Sequence, residues 1–145
     1  MVYFRAKDFE KSDKAFEDAL NLNPKEPYLL HNYSFHLAAR GARLEKAKEL
    51  AAMANELAPK QADFQDTYGW VLYQLKDYAA AKDWIGRALA NGGDQEANIL
   101  EHYGDVLFQT NEKEEALQYW KKAAELGTAS DGLLKKLAEG GIEEQ

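Results

Sequence analysis

Apolar side chains recur along the chain at the spacing of an α-helix, in short segments that glycine, proline or polar residues interrupt. Leu50, Ala54 and Leu57 show the pattern, because positions three and four apart lie on one face of a helix. No segment alternates apolar and polar residues as a half-buried strand does. The pattern predicts an all-α chain with short antiparallel helices near residues 9–22, 27–40, 44–57, 61–75, 78–90, 96–110 and 113–126.

Small residues mark a repeat within this helical pattern. Pairs of small residues seven positions apart recur about every 34 or 35 residues, at Ser12 and Ala19, Ala47 and Ala54, Ala81 and Ala88, and Ala116 and Ala123. A further small residue precedes each of the last three pairs, at Ser34, Gly69 and Gly104. Small side chains let two helices approach closely where they cross. A period of this length with two helical halves predicts a solenoid.

These positions resemble the tetratricopeptide repeat family over about residues 1–127. Ser34, Gly69 and Gly104 match its first small site, and Pro24 and Pro59 stand where that family ends a unit with proline. The next two units depart from the pattern, because glycine near residues 92–93 and 127 ends the helix instead. The resemblance implies a right-handed superhelical array of antiparallel helix pairs.

The predicted organisation is a single domain with a capping helix after the last repeat. Asn111 and Glu114 resemble a capping box for the last repeat helix. Ser130 and Asp131 then open one more helix, whose apolar stripe is expected to face the array and consists of Leu133, Leu134, Leu137 and Ala138. The expected divisions are a truncated repeat at 1–26, repeats at 27–61, 62–96 and 97–129, a cap at 130–140 and a tail at 141–145.

The N-terminal end is interpreted as an interrupted repeat. Residues 1–6 would be the tail of a first helix whose partner, near residues 9–22, is complete. Because terminal repeats normally carry a capping element, we expect the chain to be part of a longer repeat protein. The alternative is that the half-repeat is covered by a partner or by a second copy, through self-association at this open end.

Composition narrows the classes of partner and chemistry. The 18 basic and 25 acidic residues give a net charge of −7, which disfavours nucleic-acid binding. The sequence contains no apolar run of 18 residues, so no membrane-spanning segment is expected. It also contains no cysteine, which excludes disulfides and thiolate metal sites.

Candidate chemistry is sparse. The three histidines, at 31, 36 and 102, lack a spacing that places two ligands on one helix face, so no metal or other cofactor is expected. Asp63, Asp66, Glu101 and Asp105 could form a carboxylate cluster, but a solvated helix face is the favoured interpretation. The chain is not expected to be an enzyme.

The family resemblance implies that the first helix of each pair lines a concave groove for a segment of another protein. By position, the groove residues would be Tyr28, His31, Asn32, Phe35, Asp63, Asp66, Thr67, Trp70, Gln74, Asn98, Glu101, His102 and Asp105. Family members that grip the acidic C-terminal tails of chaperones use lysine, arginine and asparagine here. Of these three residue types only the asparagine has a counterpart in this chain, Asn32, so a carboxylate clamp is not expected.

We therefore expect a scaffold or adaptor that binds a neutral or basic peptide or protein segment through groove aromatics. Trp70 and Phe35 are equally compatible with exposed anchors and with core packing between first helices. The alternative function is a structural segment that extends or self-associates within a larger repeat protein. Resemblance to the C-terminal repeats of long bacterial members favours the cell envelope, with a cytoplasmic scaffold as the alternative.

Overall fold

The computed structural model describes residues 2–127 and 130–142, and these form α-helices with one 3₁₀ turn and no strand. The α-helices are α1 Val2–Leu22, α2 Pro27–Arg40, α3 Leu44–Leu57, α4 Ala62–Gln74, α5 Tyr78–Ala90, α6 Ala97–Gln109, α7 Lys113–Leu126 and α8 Asp131–Glu139. The 3₁₀ turn covers Gly93–Gln95. The chain divides into two compact units, the first ending at Pro59 and the second beginning at Lys60. The predicted all-α class is confirmed.

The first unit contains α1, α2 and α3. Its α2 begins sharply because Pro27 occupies the first turn and the Glu26 carboxylate accepts a hydrogen bond from the Leu29 N–H at 2.7 Å. At the crossing of α2 and α3 the Ser34 hydroxyl donates to the Ala47 carbonyl at 2.8 Å, and both residues are fully buried. The small residue at this crossing thus brings the two helices within hydrogen-bond distance.

The first helix differs from its prediction. The structure shows one unbroken helix from Val2 to Leu22, whereas the repeat pattern predicted a break between a tail at residues 1–6 and a helix from residue 9. The sequence between Val2 and Leu22 contains neither glycine nor proline, so no residue there favours a chain reversal. The predicted break between two helices was therefore wrong.

The second unit contains helices α4 to α8, and two of its glycines, Gly69 and Gly104, lie where helices cross. A methyl group added at Gly69 would collide with Ile85, and one added at Gly104 would lie 2.5 Å from Trp120 Cδ1 and Nε1. Ile85 and Trp120 are fully buried. Close helix approach at both glycines, predicted from the repeat, is confirmed by this geometry.

The turns between paired helices explain a second error. Asn111 adopts a left-handed backbone (φ 66°), as Lys76 does 35 positions earlier (φ 67°), and α7 begins at Lys113 after Glu112. Asn111 is therefore a turn residue, and Glu112 rather than Asn111 occupies the N-cap position of α7, so the predicted capping box does not form. Short polar side chains such as asparagine tolerate the left-handed conformation well.

The cap helix α8 forms as predicted but presents a different face. Ser130 caps it, since the Ser130 hydroxyl accepts a hydrogen bond from the Leu133 N–H at 3.0 Å. Leu133 is buried and Leu137 is partly buried against the second unit's core, whereas Leu134 is 51 % exposed. Ala138 is also exposed, so the inward stripe lacks both of these predicted residues.

Candidate functional site

In the first unit, the predicted groove residues lie along the outer face of α2. Tyr28 and Phe35 are large side chains with 54 % and 52 % of their surface exposed. Asn32 lies between them and is exposed, and His31 is partly buried with its ring centroid 6.2 Å from that of Phe35. The opposite face of α2 is core, with Tyr33 and other residues buried. Phe35 is thus an exposed aromatic residue rather than core.

In the second unit, α4 and α6 are joined by a layer of aromatic rings. The Trp70 ring stacks on the His102 ring at 3.9 Å between centroids and 15° between planes. The Trp70 ring also stacks on the Tyr73 ring, with 4.8 Å between centroids and 7° between planes. Tyr73 also accepts a hydrogen bond at its hydroxyl from Gln109 at 3.4 Å. Trp70 is therefore half-buried, combining packing between first helices with an exposed part.

His102 also binds a buried carboxylate. Its Nδ1 lies 3.0 Å and 3.1 Å from the two carboxylate oxygens of Asp66, which is only 4 % exposed. Burial lowers the pKa of His102, but the charge and hydrogen bond of Asp66, together with the charges of Asp105 and Glu101, raise the pKa above the ordinary value of 6.5. Asp66 therefore serves an internal contact between α4 and α6.

Two further carboxylates, those of Glu101 and Asp105 on α6, form ion pairs with Lys136. Lys136 Nζ on α8 lies 2.8 Å and 3.0 Å from the Asp105 oxygens and 2.7 Å from Glu101 Oε2. Asp105 also accepts a hydrogen bond from Trp120 Nε1 at 3.0 Å. The interpretation of Asp66 and Asp105 as part of a solvated face was wrong, because both are buried and paired.

Burial and charge pairing together set the pKa values of Asp105 and Lys136. Burial raises the pKa of the Asp105 carboxyl above its ordinary value of 3.8, and Lys136 offsets only part of that effect. Burial acts to lower the pKa of Lys136, but the Asp105 and Glu101 carboxylates raise it overall. Loss of the lysine would leave Asp105 buried without its ammonium partner.

The remaining predicted groove residues fall into two groups. Asp63 and Asn98 are exposed on α4 and α6, whereas Thr67 is buried and Gln74 is partly buried. Lys136 was not predicted as a member of this face, although it lies 35 positions after Glu101, as Glu101 lies after Asp66. The repeat period contained that signal, but α8 was treated only as an apolar cap.

Across residues 2–127 and 130–142, no three histidine, aspartate or glutamate side chains converge as metal ligands would. Within the same residues, no helix has both the length and the apolar character that crossing a membrane requires.

The chain is an all-α repeat array, because its helices form pairs that cross at small residues. This fold is typical of protein–protein interaction scaffolds. The family model described as "Tetratricopeptide repeat" matches residues 2–127. The chain belongs to the tetratricopeptide repeat family.

Curated relatives are much longer than this chain. A tetratricopeptide repeat protein 30 homolog of Drosophila melanogaster is 25 % identical over 125 residues, covering 86 % of this chain and 18 % of the relative. A TPR repeat-containing protein of Pseudomonas aeruginosa is 26 % identical over 105 residues, covering 72 % of this chain and 18 % of the relative. The chain thus spans about a fifth of the length of these relatives.

Solved structures share the fold at low identity. MamA matches with a TM-score of 0.77 at 18 % identity, covering 94 % of this chain and 78 % of that one. YrrB, a TPR protein with an unusual peptide-binding site, matches at 0.73 and 24 %, covering 88 % and 65 %. PilF of Pseudomonas aeruginosa matches at 0.74 and 24 %, covering 95 % and 64 %. These likenesses establish the architecture.

Proposed function

We propose that the chain is a protein-binding module that captures a peptide or protein segment on the faces of its first helices. The observation that carries this proposal is the exposure of Tyr28 and Phe35, which lie on the same face of α2 about two turns apart. Exposed aromatics bury a large area on binding and lose little side-chain entropy, which makes them frequent anchors. Asn32, exposed between them, supplies an amide that can hydrogen-bond to a ligand backbone.

The ligand is proposed to be neutral or basic. Asp66, Glu101 and Asp105 already have internal cationic or hydrogen-bonding partners, so they contribute less free negative charge than their number suggests. Exposed Asp63 and the net charge of −7 still favour a basic segment and would accelerate its association. The first TPR of Spaghetti (RPAP3) binds the HSP90 peptide SRMEEVD and has this fold at a TM-score of 0.71 and 16 % identity. Because only Asn32 of this chain matches a carboxylate clamp, an acidic tail is not the proposed ligand.

A second candidate function is a structural repeat that stacks within a larger protein. The observation that favours it is the internal use of the α4 and α6 face, where Trp70 stacks on its own neighbours and Asp66 and Asp105 are buried. Side chains committed to contacts between helices hold the array together rather than recognise a ligand. Under this alternative, self-association rather than peptide capture would be the measurable property.

The test is selection of binding peptides from a random library displayed on phage, followed by affinity measurement with the unchanged chain and with a Tyr28→Ser/Phe35→Ser variant. If removal of the aromatic anchors costs about 2 kcal/mol of binding free energy, the variant should bind roughly 30-fold more weakly. A matched control is Met53→Ser/Leu57→Ser on α3, which removes two apolar side chains that are 40 % and 43 % exposed. That control should retain affinity.

Two results would count against peptide binding on α2. One is equal affinity of the selected peptides for the unchanged chain and the Tyr28/Phe35 variant, with both folded by circular dichroism. The other is the absence of selected peptides together with concentration-dependent self-association in sedimentation. The second result would favour the structural alternative.

A further inference from the structure

His102 stacks its ring on Trp70 and contacts α4 in two ways at once. Its Nδ1 faces both oxygens of Asp66, and its ring face lies against Trp70, with 3.9 Å between centroids. Asp66 and Trp70 are four positions apart on α4, so they occupy the same helix face. The imidazole therefore connects α6 to α4 through one edge and one face.

The two contacts respond to a proton in the same direction. A neutral imidazole can donate one hydrogen bond to Asp66, whereas an imidazolium makes a shorter and stronger charge-assisted bond. The face of an indole ring also attracts a cation, and more strongly where water is partly excluded. Protonation of His102 thus strengthens its bond to Asp66 and its contact with Trp70 together.

The charged groups around His102 add to this preference. Asp66 faces it from α4, Glu101 and Asp105 lie on its own helix, and Lys136 reaches the last two from α8. With neutral His102 these groups comprise three carboxylates and one ammonium. A proton on the imidazole reduces that excess of negative charge from two to one.

We propose that His102 is a proton-operated clamp between α4 and α6, which holds the Asp66 carboxylate and the Trp70 ring when protonated and loosens when it loses that proton. This device is independent of any ligand. It would make the rigidity of the joint between the second unit's two first helices depend on pH within the range in which histidine titrates.

The direction of the pKa shift agrees with the geometry. The folded-state pKa of His102 is raised above 6.5, so the stabilisation is fully present below about pH 6.5 and is lost as the pH rises through the higher folded-state value. Each unit of separation between the folded and unfolded pKa changes the unfolding equilibrium constant tenfold between the two plateaus. The clamp is therefore closed below about pH 6.5 and opens as the pH rises through the raised folded-state pKa.

The first measurement is tryptophan emission from pH 5.8 to 8.5, with folding followed by circular dichroism. A protonated imidazole in contact with an indole ring quenches its fluorescence, so emission should fall as pH decreases, with a midpoint above 6.5. His102→Asn keeps a neutral donor near Asp66 but cannot titrate, and this variant should lose the step. His36→Asn is the matched control, because His36 contacts Phe16 and Phe35 rather than tryptophan, and it should retain the step.

The second measurement is urea unfolding at pH 6.0 and pH 8.5. The unchanged chain should lose more stability on going to pH 8.5 than His102→Asn does, while His36→Asn should behave as the unchanged chain. NMR titration of the His102 ring in the unchanged chain covers the case in which the variant unfolds. The proposal is overturned by a His102 midpoint at or below 6.5, or by an emission step that persists in folded His102→Asn.

Discussion

Gly104 provides the sharpest test of how the helix crossings are packed. In an exposed helix interior, replacing glycine by alanine stabilises by about 1 kcal/mol because alanine loses less backbone entropy. At Gly104 the new methyl group would lie 2.5 Å from Trp120 Cδ1 and Nε1 and 3.1 Å from the Ala116 carbonyl oxygen. Carbon atoms make favourable contacts at about 3.5–4.0 Å, so the tryptophan would have to move by about 1 Å.

Trp120 cannot make that movement freely. Its side chain is fully buried, and its Nε1 donates to the Asp105 carboxylate at 3.0 Å. Overpacking of this kind costs about 1–3 kcal/mol, and weakening a hydrogen bond to a charged group adds about 1.5–3 kcal/mol when the bond is fully lost. After the propensity gain of about 1 kcal/mol is subtracted, overpacking alone leaves about 0–2 kcal/mol. A partial weakening of the hydrogen bond by about 1 kcal/mol brings the expected destabilisation by Gly104→Ala to roughly 1–3 kcal/mol.

A matched glycine separates the two effects. Gly86 lies inside α5, where an added methyl group would meet Tyr103 only at 3.9 Å, an ordinary contact distance. Gly86→Ala should therefore stabilise by about 0.5–1 kcal/mol. Urea unfolding followed by circular dichroism measures both variants. If Gly104→Ala raises the midpoint as Gly86→Ala does, the inference of a tightly packed crossing at Trp120 is wrong.

Two further predictions concern α8. Lys136→Met should destabilise by about 3 kcal/mol in urea unfolding, because it leaves the buried Asp105 carboxylate without its ammonium partner, whereas Lys14→Met at an exposed pair should cause no measurable change. An unaltered midpoint for Lys136→Met would contradict a stabilising role for this ion pair. Leu133→Ala should cost about 2 kcal/mol in the same assay, since Leu133 is 2 % exposed, while Leu134→Ala, at 51 % exposure, should be nearly neutral. Equal losses for the two leucines would contradict the observed face of α8.

Much of the secondary structure could be predicted from the sequence because its signals are local. Pro27 and the glycines that follow the helices mark ends by backbone conformation alone, and apolar periodicity marks the buried face of each helix. The repeat period then placed Gly69 and Gly104 at helix crossings, where the structure confirms close approach. Exposure of Phe35, by contrast, could not be decided from its position, since the same spacing serves packing and display.

The sequence by itself determined the helices, the repeat and the family, since these depend on propensity and on periods that neighbouring residues carry. Only the tertiary structure decided what the carboxylates do. Asp66 meets His102 across 36 positions and Asp105 meets Lys136 across 31, distances at which one-dimensional patterns do not specify side-chain contacts. Burial then converts residues that resemble a solvated acidic face into internal ion pairs, because a buried charge requires a partner and an exposed one does not.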